Sequence, residues 1–168
     1  MKEISFKNDI LPLGDQLFRL ALRITRNRQE AEDVVQDTLI RLWEGRDQLN
    51  EIKNLGTYAM TICRNLSLDH IDRMEHRNIS LDEEVHDRQN NDRSPDERLM
   101  NIQRHEAVND IISQLPEKQR TIIQLRDIEG KNYQEIAETM NLSLSDVKVT
   151  LFRARQAVKE KITKQNNH

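Results

Sequence analysis

Residues 133–155 read YQEIAETMNLSLSDVKVTLFRAR, and the spacing within this stretch decides the fold. Asn132, with Glu135 three residues on, marks the start of a short helix whose inward positions are Ile136, Ala137 and Met140. Ser143, with Asp146 three residues on, marks a longer helix carrying Val147, Leu151, Ala154, Val158 and Ile162 on one stripe. Ala137, Asn141 and Val147 then stand at the spacing of a helix-turn-helix. The small Ala137 lets the two helices approach, Asn141 tolerates a left-handed turn, and Val147 packs the second helix onto the first. That leaves Leu144, Ser145, Lys148, Val149 and Phe152 facing outward at the start of the second helix, where such motifs meet the base edges of DNA. Arg153, Arg155 and Lys159 would reach phosphates. The same letters also suit a plain helical hairpin with a solvated basic face.

The charge distribution favours the nucleic-acid reading. The whole chain carries 26 Lys and Arg against 29 Asp and Glu, a net of −3, which by itself argues against phosphate binding. Counted by segment, residues 1–76, 77–95 and 96–115 each carry −2, whereas 116–168 carry +3. Within 144–164, six bases (Lys148, Arg153, Arg155, Lys159, Lys161 and Lys164) face two acids (Asp146 and Glu160). The basic groups concentrate on the helix that the motif assigns to DNA.

Upstream, the pattern stays helical. Leu17, Leu20, Ala21 and Ile24 form one stripe; Ala31, Val34, Val35, Thr38, Leu39, Leu42 and Trp43 form a second, with Asn27 and Glu30 resembling a capping box. A third begins near Asn54 and runs through Leu55, Tyr58, Ala59, Ile62, Cys63 and Leu66 toward Arg77. From Arg77 to Pro95 only Ile79, Leu81 and Val85 are aliphatic while acids and amides dominate, so this stretch reads as an acidic flexible linker. Ser94-Pro95-Asp96-Glu97 announces the next helix, carrying Leu99, Ile102, Val108, Ile111, Ile112 and Leu115 and stopping before Pro116. Pro116 opens another, with Ile122, Ile123, Leu125 and Ile128 inward and Gly130 at its end. The expected fold is all-α: two small helical domains, 1–77 and 96–168, joined by a linker at 78–95.

With 4% aromatics, 4 Gly and 3 Pro, the composition excludes collagen-like, low-complexity and strand-rich classes. The single cysteine, Cys63, excludes an intramolecular disulfide and, on an apolar face, reads as a buried structural thiol. No leading apolar stretch and no long apolar run is present, so a cytoplasmic location is expected. No G-x-x-x-x-G-K-[ST], H-E-x-x-H or C-x-x-C occurs, and His70, His76, His86, His105 and His168 lack ligand spacing. Catalysis, a cofactor and a metal are not expected.

Two longer runs carry a family resemblance. Residues 115–155, LPEKQRTIIQLRDIEGKNYQEIAETMNLSLSDVKVTLFRAR, resemble region 4 of bacterial sigma factors, and residues 30–43, EAEDVVQDTLIRLW, resemble region 2. In that order, with a linker between, the chain resembles an extracytoplasmic-function (ECF) sigma factor of the sigma-70 family from end to end. The resemblance implies a dissociable subunit that binds core RNA polymerase, reads the −35 and −10 promoter elements and helps melt the promoter without covalent catalysis. It implies contact with the clamp of the polymerase largest subunit and with the flap region, and regulation by an anti-sigma factor. Such a protein would be nucleoid-associated when bound to polymerase.

Site residues follow from the match. Asp33, Gln36, Asp37, Arg41 and Trp43 would dock on the clamp coiled coil, although Trp43 lies on the apolar stripe and by position reads as core, and Asp33, Asp37 and Arg41 also suit a solvated i, i+4 ladder. Tyr58, Arg64, Asn65, Arg73 and Arg77 would meet the −10 strand, which needs stacking surfaces and cations. Ser145, Lys148, Val149, Thr150, Arg153 and Arg155 would meet the −35 groove; Thr150 departs from the Arg often found there and offers at most a hydroxyl or methyl contact. A rival reading is a free-standing helix-turn-helix regulator of duplex operators, and a second is a polymerase adaptor that reads no DNA. The region 2 stretch discriminates against the first, since a simple regulator has no reason to carry it.

Overall fold

The structure, a computed structural model, describes residues 3–77 and 98–166; the expected linker and the Ser94-Pro95 helix start lie outside the described residues. After a wide turn at Phe6–Ile10 and a tight one at Leu11–Leu13, α1 (Gly14–Thr25) buries Leu17, Leu20, Ala21 and Ile24, the whole expected stripe. It ends at Arg26, which takes the left-handed conformation at φ 57° although it is not a glycine. α2 (Arg28–Glu44) buries Ala31, Val34, Thr38 and Leu42. Its cap is half of the expected box: Asn27 Oδ1 accepts from the Glu30 amide at 2.9 Å, while the Glu30 carboxylate turns away to His70 Nδ1.

α3 (Leu55–Arg77) is capped by Asn54, whose side chain accepts from the Thr57 amide, and buries Ala59, Met60, Cys63 and Leu66 against α1 and α2. Each fully buried aliphatic side chain contributes about 1.5–3 kcal/mol relative to exposure, so three amphipathic stripes suffice to close this bundle. Trp43 is a correction. It is 37% exposed rather than core, its ring edge-on to Phe6 and covered by the Arg46 guanidinium 3.8 Å from the ring centre.

The second half comprises α4 (Arg98–Ser113), α5 (Glu117–Ile123), α6 (Tyr133–Met140) and α7 (Leu144–Asn166). Ile111, Ile112 and Leu115 are buried as expected, whereas Val108 is exposed; Leu99 and Ile102 lie outside the described side chains. Pro116 caps α5 from outside instead of opening it. The helix expected to run on to Gly130 widens after Ile123 into a π turn at Gln124–Ile128, where the Glu129 amide reaches the Gln124 carbonyl five residues back. The extra residue in that turn rotates Ile128 outward, and it is 46% exposed rather than inward. Gly130, at φ 72°, ends the segment in the conformation expected of it. Among the described residues there is no strand.

The two halves pack together. Their buried side chains form one contiguous cluster, and a polar clasp rims it. The Arg120 guanidinium, buried on α5, donates to the last carbonyls of α1, Arg23 O at 3.0 Å and Ile24 O at 2.8 Å, and to Leu115 O at 2.9 Å. A helix C-terminus leaves carbonyls unpaired and carries negative dipole charge, so a buried cation there satisfies both needs. Around it, Arg19 forks onto Glu129 at 2.6 and 2.9 Å, Arg23 donates to Gln124 and Asn109, Arg26 donates to Ser113 O, and Asn54 donates to Glu135.

Candidate nucleic-acid interface

The helix-turn-helix forms as its spacing predicts. Asn132 and Glu135 complete a reciprocal capping box on α6, Asn141 ends α6 at φ 57° and ψ 50°, and Ser143 Oγ accepts from the Asp146 amide at the start of α7. Ala137 and Val147 are buried between the two helices. Val147, Leu151 and Ala154 are buried along one face of α7, so at about 100° per residue Ser145, Val149 and Phe152 point the opposite way. Phe152 is 64% exposed, Lys148 and Arg153 are exposed beside it, and Thr150 lies half-buried at the flank.

The cations of α7 are not equivalent. Arg155 forks onto Asp127 at the end of the π turn, and that hydrogen bond, outweighing burial, raises its proton affinity. Among the described residues no hydrogen bond or ion pair engages Lys148, Arg153 or Lys159, so these reach outward without first breaking an internal contact.

On α3 the predicted strand contacts divide. Tyr58 is 40% exposed at the edge of a cleft of about 460 Å³ that it shares with Thr61, Gln134, Glu135 and Glu138. Asn65, Arg73 and Arg77 are exposed. Arg64 is not: it is 7% exposed and forks onto Glu117 of α5 at 3.2 and 3.4 Å, with the Thr121 hydroxyl donating to the same carboxylate at 2.6 Å. On α2, Asp33, Gln36, Asp37 and Arg41 all project from the outer face, and no internal ion pair holds them among the described residues. Ile40 lies exposed among them, a residue outside the apolar stripe. Its signal is in the sequence: it is apolar at a position out of register with Ala31, Val34, Thr38 and Leu42. Arg120 and Glu117 have no such signal, because their partners lie on other helices.

Burial pushes the Cys63 thiol up to about 12, and its Sγ donates to Leu17 O, in keeping with a structural thiol. Among the described residues no group of His, Cys, Asp and Glu is placed to hold a metal ion, and no helix is long and apolar enough to cross a membrane.

Comparison with known proteins ties these surfaces together. The family model of Sigma-70 region 2 matches residues 10–77, and that of Sigma-70 region 4 matches residues 105–158. ECF RNA polymerase sigma factor SigL of Mycobacterium tuberculosis is 30% identical over 146 residues, spanning 85% of this chain and 80% of its relative. The chain belongs to the ECF sigma factors of the sigma-70 family. ECF sigma factor SigW of Bacillus subtilis is 27% identical over 157 residues, covering 88% and 83% of the two chains. The sigma factor RpoE of Bartonella quintana, solved with the anti-sigma factor NepR, superposes with a TM-score of 0.75 over 94% of this chain and 96% of its own, at 23% identity. CnrH, solved with the cytosolic domain of CnrY, superposes with a TM-score of 0.67 at 19% identity, so both share the fold. α1 to α3 are thus region 2 and α4 to α7 region 4 of a sigma factor that directs transcription initiation.

Proposed function

We propose that this sigma factor binds core RNA polymerase through the outer face of α2 and reads a promoter with α3 and α7. Asp33, Gln36, Asp37 and Arg41, with Ile40 and Trp43 as apolar anchors, meet the clamp of the largest polymerase subunit. Region 4 meets the flap region. Tyr58, Asn65, Arg73, Arg77 and, once freed, Arg64 meet the separated −10 strand. Ser145, Lys148, Val149, Thr150 and Arg153 enter the −35 major groove, with Arg155 at the flanking phosphates. The protein acts by binding and positioning, without covalent catalysis, in the cytoplasm and at the nucleoid. An anti-sigma factor is its expected inhibitor, by analogy with the RpoE–NepR complex.

One observation carries this reading: the outer face of α2 keeps Asp33, Gln36, Asp37, Ile40 and Arg41 exposed, and among the described residues no ion pair or hydrogen bond between side chains engages the charged ones. A regulator that only binds duplex DNA has no need of such a face. Run-off transcription with core polymerase on genomic fragments tests it. The expected result is promoter-specific, salt-sensitive initiation by the reconstituted holoenzyme and weak DNA binding by the free chain. Tight operator binding by the isolated chain, with no transcript from added core enzyme, would overturn it.

A further inference from the structure

We infer that Val149 and Phe152 specify thymine within the −35 element by apolar contact with its 5-methyl group, while Lys148 and Arg153 hold the two phosphate backbones. The inference deepens the function proposed above and rests on it. Of the three phenylalanines in the chain, Phe6 and Phe18 pack against the core, whereas Phe152 stands 64% exposed on α7, with Val149 44% exposed one turn before it. An apolar surface gathered in one place and rimmed by polar groups marks a contact site. At about 100° per residue, Ser145, Val149 and Phe152 lie within about 60° of one another around α7, opposite the buried Val147, Leu151 and Ala154. Lys148 and Arg153 flank this strip about 140° apart; both are exposed and, among the described residues, without a hydrogen bond or ion pair.

A helix set into the major groove with this face inward turns its two cations to the groove walls, where the phosphates are, and its apolar centre to the floor, where the base edges are. On that floor the four bases differ in what they offer an apolar side chain. Guanine presents two acceptors, cytosine an amine and adenine one of each, and these groups lose water and gain no hydrogen bond against valine or phenylalanine. Thymine alone carries a methyl group there. Of the three central side chains only Ser145 can hydrogen-bond, and a hydroxyl serves donor and acceptor edges alike. Discrimination at the centre of the strip therefore falls to Val149 and Phe152, and the base they favour is thymine.

Removing single methyl groups tests this. Once run-off transcription has located a promoter, each −35 thymine on either strand is replaced in turn by uracil, which lacks only the methyl. Binding of holoenzyme to each labelled duplex is then measured. With the wild-type protein, binding should weaken about fourfold for each methyl that is read, at one or two positions. With Phe152→Ala or Val149→Ala, binding to the thymine duplex should fall, and the difference between thymine and uracil should vanish at the position that side chain meets. Phe152→Leu, which keeps an apolar side chain, should retain most of the difference. Uracil that changes nothing at any position, a difference that persists unchanged in both alanine variants, or a −35 element with no thymine on either strand would overturn the inference. If the wild-type protein directs no promoter-specific transcription from core polymerase, the proposed function itself fails.

Discussion

At Asn141 the backbone of the helix-turn-helix takes φ 57° and ψ 50°, a conformation in which a side-chain Cβ crowds the following carbonyl at a cost of roughly 1–2 kcal/mol. Asparagine bears that cost better than most residues, and a β-branched residue bears it worst. Asn141→Val should therefore destabilise region 4 by about 1–2 kcal/mol, and Asn141→Gly should leave it unchanged or more stable by up to about 1 kcal/mol. Urea midpoints followed by circular dichroism would read both. Arg26 adopts the same conformation at the end of α1, with no glycine or asparagine to announce it. It is held there while its guanidinium donates to Ser113 O, a partner 87 positions away. Asn141 is legible in the sequence because its residue type suits the turn; Arg26 is not, because its residue type does not announce one, although its amide closes on Leu22 O within α1.

Among the elements, α7 combines an exposed face, the one proposed to read DNA, with Arg155 as its one internally committed cation among the described residues. Every cation that neutralises a phosphate adds about 0.9 to the steepness with which log affinity falls against log salt. Arg153→Gln should lower that steepness for holoenzyme on its promoter by about one. Arg155→Gln should lower it less, because Asp127 already neutralises that guanidinium. Asp127→Asn should increase it by releasing Arg155, and salt-titrated anisotropy with a labelled promoter duplex checks all three. The π turn that carries Asp127 has no mark in the sequence. Residues 116–130 keep an ordinary helical pattern there, and the shift from four-residue to five-residue hydrogen bonding follows from packing, not from any one residue type. For that reason the apolar pattern points Ile128 inward, while the folded chain turns it outside.

For the whole molecule, the helices are legible because caps, proline positions and apolar stripes are local, while the joint between the two halves is not. Nothing in the sequence sets Arg120 apart, yet it is buried across three carbonyls; burial and the nearby Arg26 push its proton affinity down to about 10, which leaves it charged at neutral pH. Glu129 makes the joint sensitive to acid. Burial works to raise its pKa, but hydrogen bonds from Arg19 and Gln124, with the charges of Arg19 and Lys131, hold the carboxyl below its usual range. A depressed carboxyl stabilises the folded state fully above its unfolded pKa of about 4.3, and that contribution fades as pH falls through the folded value. Wild-type protein should lose its stability advantage over Glu129→Gln as pH falls below about 4, with the two differing most near neutrality. Paired urea titrations from acid to neutral pH would show it. Trp43 supplies an optical consequence. It is the only tryptophan of the chain, seated beside Phe6 and Arg46 in region 2, so its fluorescence reports that half alone. If regions 2 and 4 melt as one unit, Asn141→Val in region 4 will shift the Trp43 melting curve, although the tryptophan and the substitution lie in different domains.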